Sequence, residues 1–249
     1  MKSVATKRHS DVSDMVIVAV DVRSREEALE LVGELLRLCK RFKVGYTLLC
    51  NAGFGIVDEL IAMGALVLLD IKLHDIPNTV YEASRSLSKK GIWGMTMHAC
   101  GGFEMMRSCV NGASEGAEEA SLGKPLLFAV TLLTSISQHQ LNEELKVSVK
   151  PSEYVTAMAE LAKSAGADGV VASGEEIEVI RERCGEELLI VVPGIRPSWS
   201  AVEDQRRFTT PSEAVRRGAN YIVVGRPILK ASDRVDALER ILDEIASST

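Results

Sequence analysis

Asp70, Lys72, His74 and Asp75 crowd into one short stretch, between an apolar run opening at Leu66 and the proline at Pro77. In an extended strand, residues two apart project to the same side, roughly 6.5–7 Å from each other. Asp70 and Lys72 are therefore expected to point together at a strand's C-terminal end, with Leu69 and Ile71 facing the opposite layer. Pro77 does not fit inside a central strand but suits the first turn of a helix. Asp75 then lies in the turn between. Two chemistries suit this cluster. Carboxylates with a histidine can bind Mg²⁺ through oxygen ligands, although Lys72, set between Asp70 and His74, competes with a metal. The other is metal-free proton chemistry, with a lysine as general acid and carboxylates shaping the field.

The elements that must position these charges alternate regularly. Met15–Val20 is an apolar β-branched run of the kind buried on both faces in parallel sheets. Ser24 followed by Glu27 is a capping-box pattern, and Ala28, Leu31, Val32, Leu35, Leu36 and Cys39 recur at helical spacing. Further strands are expected at 42–45, 66–72, 93–97, 126–132, 169–172, 188–192 and 221–224. Helices are expected at 51–63, 78–90, 103–116, 152–165, 175–183, 211–217 and 233–246. Eight strand–helix repeats without a linker or a composition break predict an α/β fold, a single (β/α)₈ TIM barrel. An open doubly wound sheet is the runner-up, but the first strand–helix turn has no G-x-G-x-x-G. Residues 1–14 form a polar N-terminal extension and residues 15–249 the catalytic barrel.

Active sites in such barrels are built from strand C-termini and the loops after them. Those positions hold Asp21, Lys43, Asp70, Lys72, Asp75, His98, Thr134, Ser137, Ser173, Arg196 and Arg226. Each charge taken singly has a structural reading, as a helix cap or an ion-pair partner. Together they favour function, because drawing several charges into a partly desolvated site is costly unless opposite signs neutralise one another. Gly225-Arg-Pro227 follows the eighth strand, where these barrels commonly bind phosphate. Gly225 would admit backbone N–H groups to the anion, and Arg226 would offer a bidentate fork. The long segment 193–210, with Arg196, Gln205, Arg206 and Arg207, has the length of a lid. Cys100, beside His98, reads as a buried thiol and His139 as an exposed one-off.

The totals set bounds. A net charge of −6 over 249 residues argues against a nucleic-acid or anionic-membrane binder. No run approaches the roughly 18–20 apolar residues of a membrane span. Five cysteines without a C-x-x-C pair point to free thiols in a reducing cytoplasm.

Asp70-Ile-Lys-Leu-His-Asp-Ile-Pro-Asn-Thr79 resembles the D-x-K-x-H-D-I-P-N-T signature of the orotidine 5′-phosphate decarboxylase family. Val18-Ala-Val-Asp21, Phe42-Lys-Val-Gly45, Leu133-Thr-Ser135, Pro193-Gly-Ile-Arg196, Asp204-Gln205 and Ile222-Val-Val-Gly-Arg226 extend the likeness from about Met15 to Ala246. The resemblance implies a homodimeric barrel converting orotidine 5′-monophosphate to UMP and CO₂ in pyrimidine nucleotide synthesis, with no metal and no organic cofactor. It implies that Lys43, Asp70, Lys72 and Asp75 form the catalytic charge network, with Lys72 as proton donor. Asp75, with Ile76 and Thr79, would serve the neighbouring subunit's site. Asp21 and Lys43 would hold the ribose hydroxyls, and Thr134 or Ser137 the pyrimidine. Arg196 and Gln205 would belong to the closing loop, with Gln205, Gly225 and Arg226 on the phosphate, and Pro193 would be a further substrate-binding residue.

Two other readings remain. A Mg²⁺-dependent sugar-phosphate decarboxylase or aldolase of the same barrel superfamily shares the D-x-K pair but lacks the H-D-I-P-N-T continuation. A non-catalytic phosphate-metabolite binding protein is disfavoured because all four network charges are present.

Overall fold

The computed structural model describes residues 12–200 and 209–248. Of the expected extension, residues 1–11 lie outside the described residues. Val12 is buried, and Asp14 pairs with Arg41 at 2.6 Å. Eight parallel strands close into a barrel in chain order, as the alternation predicts. They are β1 Val16–Ala19, β2 Arg41–Gly45, β3 Leu66–Leu73, β4 Gly94–His98, β5 Leu126–Val130, β6 Gly169–Val171, β7 Leu189–Val192 and β8 Tyr221–Val224. The helices are α1 Arg25–Leu35, α2 Tyr46–Ala52, α3 Gly55–Ala62, α4 Pro77–Ser88, α5 Gly102–Glu119, α6 Pro151–Ala165, α7 Ile177–Cys184, α8 Pro211–Arg216, α9 Arg226–Leu229 and α10 Arg234–Ala246.

By internal packing the chain divides into two compact units. Met1–Asp70 with Val192–Thr249 form one, and Ile71–Val191 the other. In the first unit, Ile17↔Arg41 and Gly45↔Asp70 set the register of β1 on β2 and of β2 on β3. The sequence expects one helix over 51–63, but the structure has two. Gly53 adopts φ +73 and donates its N–H to Leu49 O, which ends α2 before α3 begins. The cap foreseen in the sequence forms: Ser24 Oγ accepts from Glu27 N at 3.1 Å. Thr210 and Glu213 form a full capping box on α8, and Asp233 Oδ1 accepts from Val235 N and Asp236 N. The Glu213 carboxyl is held below the usual range, chiefly by the Thr210 backbone N–H. Arg240 lies over the Trp199 ring, 4.2 Å from its centre, which ties the start of the 193–210 segment to α10.

In the second unit, α4 and α5 approach closely at Gly112 and Gly116. A Cβ on Gly112 would lie 2.3 Å from Tyr81 O, and one on Gly116 2.0 Å from Arg85 O. Glycine is required at both, since any side chain there would overlap the backbone of α4. The rim of the same helix pair is ionic: Arg85 bonds to Glu119, Lys89 pairs with Glu119 at 2.5 Å, and Tyr81 donates to Glu115. Gly166 closes α6 at φ +90, as the sequence expects of it. Among the elements not anticipated are a π-helical turn at Gln140–Glu144 and the short helix α9.

All five cysteines are free thiols. Cys100 is exposed, contrary to its sequence reading as buried. Burial pushes the Cys39 thiol up to about 11 and the Cys109 thiol up to about 12. The folded chain therefore keeps protons on these sulfurs after the unfolded chain has released them. Their contribution is complete below pH ~9 and is lost as pH rises through the folded values. The slope is about 1.4 kcal/mol per pH unit for each thiol. Denaturant titrations from pH ~8 to ~10.5 should show this fall, and Cys39→Ala should flatten it. An equally steep profile in the variant would refute the assignment to Cys39.

Candidate active site

In the first unit, three predicted residues meet. Lys43 Nζ is 3.1 Å from Asp21 Oδ1 and 3.3 Å from Asp70 Oδ2. The lysine comes from β2, Asp70 from β3, and Asp21 from just beyond β1. Parallel register brings them together, since Ala19 pairs with Lys43 and Gly45 with Asp70. Lys43 and Asp70 side chains are each 14% exposed, and Asp21 is 46% exposed. The Lys43 ammonium and the Asp70 carboxylate, both largely withdrawn from water, offset each other's desolvation, and the more exposed Asp21 adds a second counter-charge. The triad carries a formal charge of −1. Its central position is taken by an ammonium, where a divalent cation would otherwise sit between the carboxylates.

Two glycines make room for the triad. A Cβ on Gly45 would stand 3.3 Å from Lys43 Nζ and 3.9 Å from Asp21 Oδ1. One on Gly225 would stand 3.3 Å from the Ala19 Cβ and 3.9 Å from Asp21 Oδ2. Gly225 thus lies beside Asp21, and its neighbour Arg226 is exposed as the first residue of α9. Arg196 donates its N–H to Thr209 O at 3.1 Å, which joins the two ends of the 193–210 segment; Pro193 precedes it half-buried. Gln205 lies outside the described residues.

In the second unit, Lys72 departs from the extended geometry on which the same-face expectation rests. Its φ is +49, in the left-handed region that a non-glycine residue seldom occupies. Alternation therefore fails at the second member of the Asp-x-Lys pair. Its N–H donates to Thr96 Oγ1 of β4 at 2.9 Å. His74 packs its ring on that of His98, centres 5.3 Å apart, and its Nε2 is 4.0 Å from Cys100 Sγ. His74 to Thr79 are all exposed, and Ile76 is 67% exposed. Asp75 Oδ1 accepts from Ile76 N at 2.7 Å. The structure does not cap α4 with Asp75, since its N-cap is Ile76 and no side chain caps it. Beyond β5, Ser137 Oγ accepts from Gln140 N at 3.2 Å at the start of the π-helical turn, while Thr134 is exposed.

Thr96 is absent from the sequence-based site. It is the one hydroxyl residue of β4, and at 1% exposure it is buried among apolar neighbours. A polar residue in an apolar strand, two positions before the strand-end His98, is the signal that marks it.

A closed parallel barrel with a lysine held between two carboxylates at strand C-termini defines a (β/α)₈ protein of the kind whose active site is assembled from those ends. The particular family follows from comparison. The chain belongs to the orotidine 5′-phosphate decarboxylase / HUMPS family, whose sequence profile matches residues 14–241. It is similar to orotidine 5′-phosphate decarboxylase of Heliobacterium modesticaldum, 46% identical over 95% of this chain and 97% of that protein. The enzyme of the same name from Syntrophomonas wolfei is also 46% identical, over 93% of this chain and 98% of its own. Among solved structures, orotidine 5′-phosphate decarboxylase from Lactobacillus acidophilus superimposes with a TM-score of 0.83. The two sequences are 40% identical, over 92% of this chain and 98% of that one.

Proposed function

We propose that the chain is an orotidine 5′-phosphate decarboxylase, converting orotidine 5′-monophosphate to UMP and CO₂ without a metal or organic cofactor. The observation that carries this reading is the Asp21–Lys43–Asp70 triad, in a chain of this family, immediately preceding Lys72 on β3. In the reaction the C6–carboxylate bond breaks and its electron pair stays on C6. That pair lies in the ring plane, where no adjacent π system can delocalise it. Fixed charge must stabilise it instead. The Lys72 ammonium supplies that charge and then its proton, forming C6–H; the lysine recovers a proton from water. Asp70, held by Lys43, faces the substrate carboxylate and is relieved of its repulsion as CO₂ departs.

Asp21 and Lys43 hold the ribose hydroxyls, and Thr134 or Ser137 meets the pyrimidine. The hydroxyl of Ser137 already serves the turn at Gln140, which favours Thr134 for that contact. Gly225 and Arg226 take the phosphate with Gln205, and Pro193 and Arg196 belong to the closing segment. Phosphate binding remote from C6 can drive loop closure and organise the reacting end. Arg226→Ala should therefore raise KM by roughly 10²-fold, as loss of a charge-assisted bidentate contact does, with a smaller fall in kcat. An unchanged KM in steady-state assays would remove Arg226 from the phosphate site.

The exposed run from His74 to Thr79 supports a homodimer in which Asp75, Ile76 and Thr79 enter the neighbouring subunit's site. Among the described residues, no helix is long and apolar enough to cross a membrane. Free thiols favour a cytoplasmic setting.

The deciding experiment is an absorbance assay with orotidine 5′-monophosphate in excess EDTA. Turnover supports this reading. Turnover only with Mg²⁺ on a sugar phosphate would replace it with the aldolase-like alternative, and binding without turnover would make the chain a non-catalytic binder.

A further inference from the structure

We propose that Thr96 is a positioning residue for Lys72, fixing the backbone from which the proton-donating ammonium extends. The inference rests on the reading of Lys72 as the proton donor. A non-glycine residue at φ +49 is strained, and such strain persists only where surroundings over-determine it. Here the determinant is visible. The Lys72 N–H, at the start of the left-handed unit, donates to Thr96 Oγ1 at 2.9 Å, which fixes the peptide plane about which the residue is turned. Thr96 is fixed in turn, because β4 pairs with β5 through Thr96↔Phe128 and the residue is 1% exposed. A β-branched side chain on a paired strand has few χ1 choices, so the hydroxyl is held in direction as well as place.

A second tie brackets the lysine. Two residues beyond Lys72, the His74 ring packs on that of His98, itself two residues beyond Thr96. The end of β3 is thus attached to β4 on both sides of the left-handed turn of backbone. Buried backbone N–H groups need an acceptor. With the hydroxyl gone, the Lys72 N–H loses this acceptor, and the root of the side chain loses one of the ties that fix it. A displacement of about 1 Å at a reacting group costs roughly 10²-fold in rate.

The test compares Thr96→Val, which keeps shape and removes the acceptor, with Thr96→Ser, which keeps the acceptor. Thr96→Val should lower kcat for orotidine 5′-monophosphate by roughly 10–10²-fold with KM within about threefold, and Thr96→Ser should recover most of that loss. Thr96→Val added to Lys72→Ala should lower the residual rate no further, since the group it positions is already gone. A merely structural role would depress both backgrounds alike. Wild-type kcat in Thr96→Val, with Lys72→Ala inactive, would overturn the positioning role alone. Full activity in Lys72→Ala would overturn the underlying reading instead. Should Thr96→Val not fold, Thr96→Cys, which puts a weakly accepting thiol in place of the hydroxyl, gives the same comparison.

Discussion

Lys72→Ala is expected to lower kcat on orotidine 5′-monophosphate by on the order of 10⁴-fold or more, because the residue combines two roles. It stabilises the charge that develops on C6, and it donates the proton that ends the reaction. Removing either alone is a large loss, and alanine removes both. Alanine at position 72 carries the same left-handed strain as lysine, so the backbone near Thr96 is kept and the fold is little changed. The purified variant should unfold at a temperature close to that of the parent chain, which separates lost chemistry from lost structure. Near-wild-type decarboxylation would sink the proposed mechanism.

Subunits altered at Asp75 and at Lys72, each inactive alone, should recover about one quarter of full activity when mixed and reassembled. In a mixed dimer, one site would combine Lys72 of one chain with Asp75 of the other, both intact, while the second site lacks both. Half the dimers formed by random pairing are mixed, and half of their sites are whole. The exposed position of Asp75 ahead of α4, outside the Asp21–Lys43–Asp70 triad, motivates the experiment. No recovery would mean that each site is complete within its own chain.

The strands were legible because parallel barrels bury both faces, which writes an apolar run at each strand. β8 matches its expected limits at Tyr221–Val224, and the other strands differ by a residue or two at their ends. Helices were harder where a glycine decides between continuing and stopping. Gly53 sits inside an apolar pattern that reads as helical, and its left-handed φ is a tertiary choice. The triad was legible as residue types at strand ends, but its ion pairs depend on register between strands. Lys72 shows the limit most clearly. A period of two predicts that it follows Asp70, yet the backbone leaves that period at this residue, and Thr96, which holds it there, lies on the next strand.

Gly112 and Gly116 have a bearing beyond the packing of α4 on α5. At these two positions the α4 carbonyls of Tyr81 and Arg85 lie directly against α5, so α4 cannot move closer there without backbone meeting backbone. The segment His74–Thr79 leads directly into that helix, so its surface is displayed from an anchored base. A surface held in this way is preorganised. A protein that docks there loses little conformational entropy in ordering it, and more of the contact energy appears as affinity.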